Sequence, residues 1–245
     1  MFNGIHMMAV PTDANLATQA LSEEKTYRFQ AFSADDAITL GLSIRKRFRA
    51  SSRHGKGKGL VISIQTVAGH TLFSCTVGDL GHPSGISDVS LDSWACLEGM
   101  ISVVKRTSHS SYYVEKGMSA MGKTAKQMGL DDNMRVSGGA FPIWLENAPC
   151  CPIAVVAAYS GSSQDDHNLV VNTVRDYIKK LRRSSDAPGL SMPEPSQGLP
   201  HRPISEWVSE LGFGAGDQPL RHPEGSLYDH HEHHEHHEDH EHKEQ

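Results

Sequence analysis

The stretch from Ser137 to Leu181, SGGAFPIWLENAPCCPIAVVAAYSGSSQDDHNLVVNTVRDYIKKL, constrains the fold more than any other part of the chain. Gly138 and Gly139 make positive φ available just before the run Ala140-Phe141-Pro142-Ile143-Trp144. Pro142 has no N–H, so that strand lies at an edge or pairs there through its carbonyl side only. Glu146-Asn147-Ala148-Pro149 is turn chemistry. Ile153 to Tyr159 is short and apolar enough to be a buried strand. Ser163 as cap, with Asp166 three residues on, predicts a helix start. Val170, Val174, Tyr177, Ile178 and Leu181 then recur at helical spacing. Lys179, Lys180, Arg182 and Arg183 crowd the last turn, where the helix dipole favours cations.

The rest of the first 183 residues extends this pattern. Ser33 and Asp36 form a capping box for a helix whose buried stripe is Ala37, Leu40, Gly41, Ile44 and Phe48. Ser51 to Gly59, SSRHGKGKG, is basic and glycine-rich but lacks the spacing of a phosphate-binding loop, and reads as a solvated loop. Leu60 to Val67 and Thr71 to Val77 flank Gly69 and predict a hairpin. A helix from about Ser90 carries Trp94, Leu97, Ile101 and Val104 on one face. After a break at Lys105 to Ser111, another helix places Met118, Met121, Ala125 and Met128 in a stripe ended by Gly129. The expected order is α-β-β-α-α-β-β-α, an α+β fold with an antiparallel sheet flanked by helices. Residues 1–27 read as a flexible arm, 28–183 as the domain, and 184–245 as a Pro/Ser-rich linker with a short helix and a tail.

Charge narrows the partners. The formal net charge is −6, and residues 229–245 hold seven acidic residues and one Lys, which accounts for all of it. The remainder is neutral and shows no basic footprint for nucleic acid. Cys75, Cys96, Cys150 and Cys151 include no CxxC, which fits a reduced, cytoplasmic protein rather than a disulfide framework. No apolar run approaches the ~20 residues of a membrane span, and the first residues lack the pattern of a signal peptide. Ile204, Trp207, Val208 and Leu211 form an amphipathic patch that needs a surface to bury it, on this protein or on a partner. The tail offers His230, His231, His233, His234, His236 and His237 among carboxylates as ligands for a divalent metal; a solvated tail accounts equally well for the composition.

Five segments together, FSADDAITLGLSIRKR, GLVISIQTVAGHTLF, KRTSHSSYYVEKG, SGGAFPI and SGSSQDDHNLVVNTVRDYI, resemble the fungal and bacterial group related to the haem-binding HbpS and GlcG proteins, often labelled haem-degrading domain. The resemblance covers about Phe32 to Leu181. It implies the same helix-flanked sheet, assembly into homo-oligomers, and binding or breakdown of haem; a yeast relative is linked to delivery of tail-anchored proteins. Two positions depart from the group's pattern. Ala95-Cys96-Leu97-Glu98 follows Trp94 where an Arg/Arg/Lys run is usual, and Ser137 stands where a His often precedes the glycine pair.

Candidate site residues follow. Lys105, Arg106 and His109 precede a helix start at Ser110 and Ser111, where free N–H groups beside cations suit the carboxylates of haem or another acidic molecule. The simpler reading is that Ser110 caps the helix and the cations are solvated. Asp166 and His167 open the last helix; His167 and His109 are candidate acid–base groups, and His167 a candidate axial haem ligand. The alternative for Asp166 and His167 is a helix-start pair packed locally. Three functions remain open: a ligand-binding protein for haem or a planar acidic molecule, a cofactor-free isomerase or lyase, and a scaffold for chaperone-mediated protein delivery.

Overall fold

In the computed structural model, residues 10–80, 89–131 and 133–185 are described. The expected linker, Trp207 patch and His-rich tail lie outside them, as does most of the loop between Gly78 and Ser87.

Five strands form one sheet: β1 (Arg28–Phe29), β2 (Leu60–Thr66), β3 (Thr71–Val77), β4 (Ala140–Leu145) and β5 (Ala154–Tyr159), ordered β1-β4-β5-β2-β3. The β2–β3, β2–β5 and β4–β5 pairs are antiparallel. The expected wholly antiparallel sheet needs correction, because β1 runs parallel to β4. Two residues of β1 pair, with Trp144 and Leu145. Pro142 lies beyond that contact and pairs with Val155 of β5, so its missing N–H costs no bond to β1. Gly69 turns the β2–β3 hairpin with φ +100°, and Gly139 enters β4 with φ +134°, a conformation L side chains rarely adopt.

Among the described residues there are six helices: α1 (Asp13–Thr26), α2 (Ala34–Arg49), α3 (Ser52–Gly55), α4 (Leu91–Thr107), α5 (Ser111–Met121) and α6 (Ser163–Ser185). From α2 onward, with α3 set aside, the order is the expected one. Ser33 and Asp36 close the capping box of α2, and its five stripe residues are all buried. Ser90 caps α4. On one face of the sheet, α2 and α6 bury Phe48, Leu60, Ile62, Phe141, Val156 and Val174 in a common cluster. On the other face, α4 packs Leu97, Met100, Ile101 and Val104 against Val61, Val155 and Ala157. The β2 strand is therefore buried on both sides, and its burial is nearly continuous even at Ser63 and Gln65.

Four local expectations are corrected. The arm assigned to residues 1–27 contains helix α1, capped by Thr12. The solvated loop 51–59 contains α3, and its Arg53 pairs with Asp166 in the first turn of α6. The methionine stripe is not one helix: Gly122 takes φ +64° and ends α5, and a short 3-10 turn, Lys126–Met128, follows. Met121 and Met128 are consequently exposed while Met118 is buried. Ser163 does not cap α6; its hydroxyl accepts the Gly138 N–H and donates to Glu115. Asp166 instead accepts from Ser162 N at 3.3 Å, placing the start of α6 one residue earlier than expected. Among the described residues, no helix is long and apolar enough to cross a membrane.

Candidate ligand-binding site

The corner between α4 and α5 holds His109, Ser110 and Ser111 of the expected site residues; His167 and Asp166 lie elsewhere. Ser108 ends α4 with φ +60°, the one positive φ at a non-glycine among the described residues. Such a conformation costs about 1–2 kcal/mol for an L residue. It turns the chain so that His109 leaves the helix axis and Ser110 caps α5, accepting the Tyr113 N–H at 3.3 Å. Thr107 braces the corner, accepting from His109 N at 3.2 Å and donating to Val103 O at 2.8 Å.

The anion at this helix start belongs to the chain itself. Glu24 of α1 is buried, and its Oε1 accepts the Ser110 N–H at 2.7 Å. Its Oε2 lies 2.8 Å from His109 Nδ1. The hydrogen bond from His109 to Glu24, with the charge beside it, holds the imidazole pKa above its ordinary value despite partial burial. The His109 side chain keeps 40% of its surface and lies 4.8 Å, centroid to centroid, from the Tyr113 ring.

His109 also lines an apolar groove of ≈ 190 Å³ with Thr107, Tyr113, Val114, Gly117, Met118, Met121, Met128 and Leu130. The end of α5 at Gly122 creates this groove, since it lets Met128 and Leu130 fold back beside Met118. A larger open cleft of ≈ 680 Å³ runs between α2 and α6. It holds no histidine, and its Arg47 is already paired with Asp176.

Other expected site residues have structural partners. Lys105 Nζ donates to Gln65 Oε1 at 3.1 Å, and Arg106 is exposed. Ser111 is buried and accepts the Ala140 N–H at 3.1 Å, tying α5 to β4. Asp166 has no exposed surface. It accepts from Ser160 N at 2.8 Å and pairs with Arg53 at 2.6 Å. Burial pushes its carboxyl above the ordinary value, against the pull of Ser160 and Arg53. Asp166 therefore locks α3 to the start of α6, with both carboxyl oxygens engaged by groups of the chain itself.

His167 also meets α1, at Glu23. Its ring stacks on Tyr112, 4.2 Å between centroids at 16°, and its Nε2 lies 3.1 Å from Glu23 Oε2. The ring is buried, and Nδ1 has no hydrogen-bond partner among the described residues. Burial alone would raise the Glu23 pKa, but hydrogen bonds from His167 and Gln19 outweigh it and hold the carboxyl low. His167 and His109 thus point to adjacent residues of one helix rather than to one cavity.

Local sequence patterns did not mark Glu23, Glu24, Arg53, Tyr112 and Tyr113. The two carboxylates are separated from their histidines by 144 and 85 residues, so no local spacing links them. Among the described residues, no three His, Cys, Asp or Glu side chains cluster to hold a metal ion, and the histidines expected to do so in the tail lie outside that set.

The family model described as "Haem degrading protein HbpS-like" matches residues 32–175. A UPF0303 protein of Psychromonas ingrahamii is 28% identical over 169 residues, covering 67% of this chain and 94% of that protein. The crystal structure of the Ybr137w protein is 21% identical and superimposes with a TM-score of 0.56, covering 71% of this chain and 91% of that one. That likeness supports the fold. With the sheet, the helix order and more than half of the chain in agreement, the protein belongs to the HbpS-like family.

Proposed function

We propose that this protein binds haem, or another planar ligand with an apolar body and an acidic edge, in the groove beside α5 with His109 at its rim. The carrying observation is a half-exposed imidazole set against an apolar wall that leaves Met121 and Met128 in contact with solvent. The family's description as haem degrading supports the choice of ligand. Thioethers and aromatic rings suit a flat, polarisable molecule. The groove is smaller than the ~300 Å³ at which ligand pockets usually begin, so it suits one edge of a macrocycle, with the remainder over His109 and Tyr113.

His109 fits an iron-bound group because Nδ1 is engaged by Glu24 while Nε2 has no hydrogen-bond partner among the described residues. His167 does not fit, since its ring is buried and its Nε2 meets Glu23. Bound haem would supply an iron centre that an imidazole can ligate. The chain would supply the imidazole, the apolar wall and exposed Arg106 for an acidic edge. Acid–base catalysis by His167, the isomerase or lyase reading, has less support because α1 covers that ring.

Homo-oligomer formation is also proposed. Ile38 and Leu42, one turn apart on α2, are exposed, and β3 ends the sheet order beside that helix. Titrating the full chain with haem while recording the Soret band tests the main reading. Saturable binding at micromolar haem, weakened about 10-fold or more by His109→Ala, is expected for loss of a ligand group. Equal binding by both proteins would remove His109 from the site; no binding by either would end the haem reading.

A further inference from the structure

Glu24 does more than cap a helix. We infer that it is a positioning residue that decides which nitrogen of His109 keeps its lone pair, so that the groove takes a metalloporphyrin through Nε2; this rests on the ligand reading above. A carboxylate only accepts hydrogen bonds. With Oε1 on the Ser110 N–H at 2.7 Å, Oε2 faces His109 Nδ1 at 2.8 Å. Nδ1 must therefore carry a proton, and in the neutral ring the lone pair lies on Nε2.

Capping alone does not explain this arrangement. The Ser110 hydroxyl already caps α5. Burying a carboxylate is costly unless its oxygens are paired, and here each oxygen of Glu24 has its own donor. A metal-binding histidine characteristically donates its second ring N–H to a carboxylate, which fixes the tautomer and makes the ligating nitrogen a better donor. Glu24–His109 has that form, with Tyr113 beside the ring and the apolar groove against it. Ser108, strained at φ +60°, sets the ring at the mouth of the groove.

Glu24→Gln separates the two roles. Ser110 N–H still needs an acceptor, so the amide oxygen stays on that side and the NH2 group is turned toward Nδ1. Nδ1 must then accept, the proton moves to Nε2, and no lone pair remains for iron. The helix cap survives while ligation is lost. Haem titration of full-length wild type, Glu24→Gln and His109→Ala reads this out. The inference expects Glu24→Gln to bind about 10–100-fold more weakly, with a Soret band matching His109→Ala and a circular dichroism spectrum matching wild type. Added imidazole should restore the histidine-ligated band in both variants.

A wild-type Soret band and affinity in Glu24→Gln, with His109→Ala defective, would overturn the inference and leave the ligand reading intact. Indifference of binding to His109→Ala, or no binding at all, would sink both. Should Glu24→Gln fail to fold, nitrogen-15 NMR of the wild-type imidazole at alkaline pH decides. A proton on Nδ1 supports the assignment, and a proton on Nε2 overturns it.

Discussion

Helices α1 and α2 both pack onto the domain, but by opposite means. α2 buries Ala37, Leu40, Gly41, Ile44 and Phe48 in one stripe. The buried residues of α1 are Ala17, Ala20 and Glu24. Its anchors are carboxylates: Asp13 to Lys116 and Ser119, Glu23 to His167, and Glu24 to His109 and Ser110. Fully burying a large apolar side chain is worth about 1.5–3 kcal/mol, whereas the partly exposed Asp13–Lys116 pair gives about 0–1 kcal/mol, and the attraction at buried Glu24 and His167 is offset by their desolvation. The apolar helix therefore builds the core, and the polar helix completes the groove's histidine at low local stability. Segments that serve ligands are drawn from this weaker end.

The largest expected effect tests the apolar half of this contrast. Phe48→Ala should cost about 3–5 kcal/mol of global stability, seen as a lower urea midpoint for the whole domain. Glu24→Ala should cost less, about 1–3 kcal/mol for the unsatisfied Ser110 N–H and the lost imidazole bond. Its signature should be local: amide exchange rises across residues 13–26 and stays slow in α2. An equal fall in global stability from the two substitutions would break the contrast.

Acid should distinguish the helices next. The folded-state pKa of Glu23 is lowered, so its contribution is fully present above the ordinary glutamate value of 4.5 and is lost as pH falls through the folded value. Amide protection in α1 should therefore decline below about pH 4.5 before protection in α2 does. Parallel loss in both helices would show that α1 is held by something other than its carboxylates. The smallest effect belongs to Lys116→Ala, which removes a surface pair with Asp13 and should shift stability by no more than about 1 kcal/mol.

The same contrast explains what could be read from the sequence. The stripe of α2, the Ser33–Asp36 box, the helix start near Ser90 and the turn at Gly69 are local patterns, and each stands in the structure as expected. α1 offered no such pattern, because its docked face is two alanines among charges. β1 is two residues long, too short to alternate, so the parallel pairing at the sheet edge was invisible. Arg53 looked like one of several loop cations until folding brought it to Asp166, 113 residues away. His109, Ser110 and Ser111 were readable as a helix start. Their controlling partner, Glu24, was not, since nothing local records which distant carboxylate will meet a given imidazole.

The most direct measurement is the position of iron in the full chain loaded with haem, located by its anomalous X-ray scattering. Iron at bonding distance from His109 Nε2, with Met121 and Met128 along the macrocycle, is the predicted result. Iron bound away from the α4–α5 corner, with His109 still turned to Glu24 and the groove empty, would contradict it.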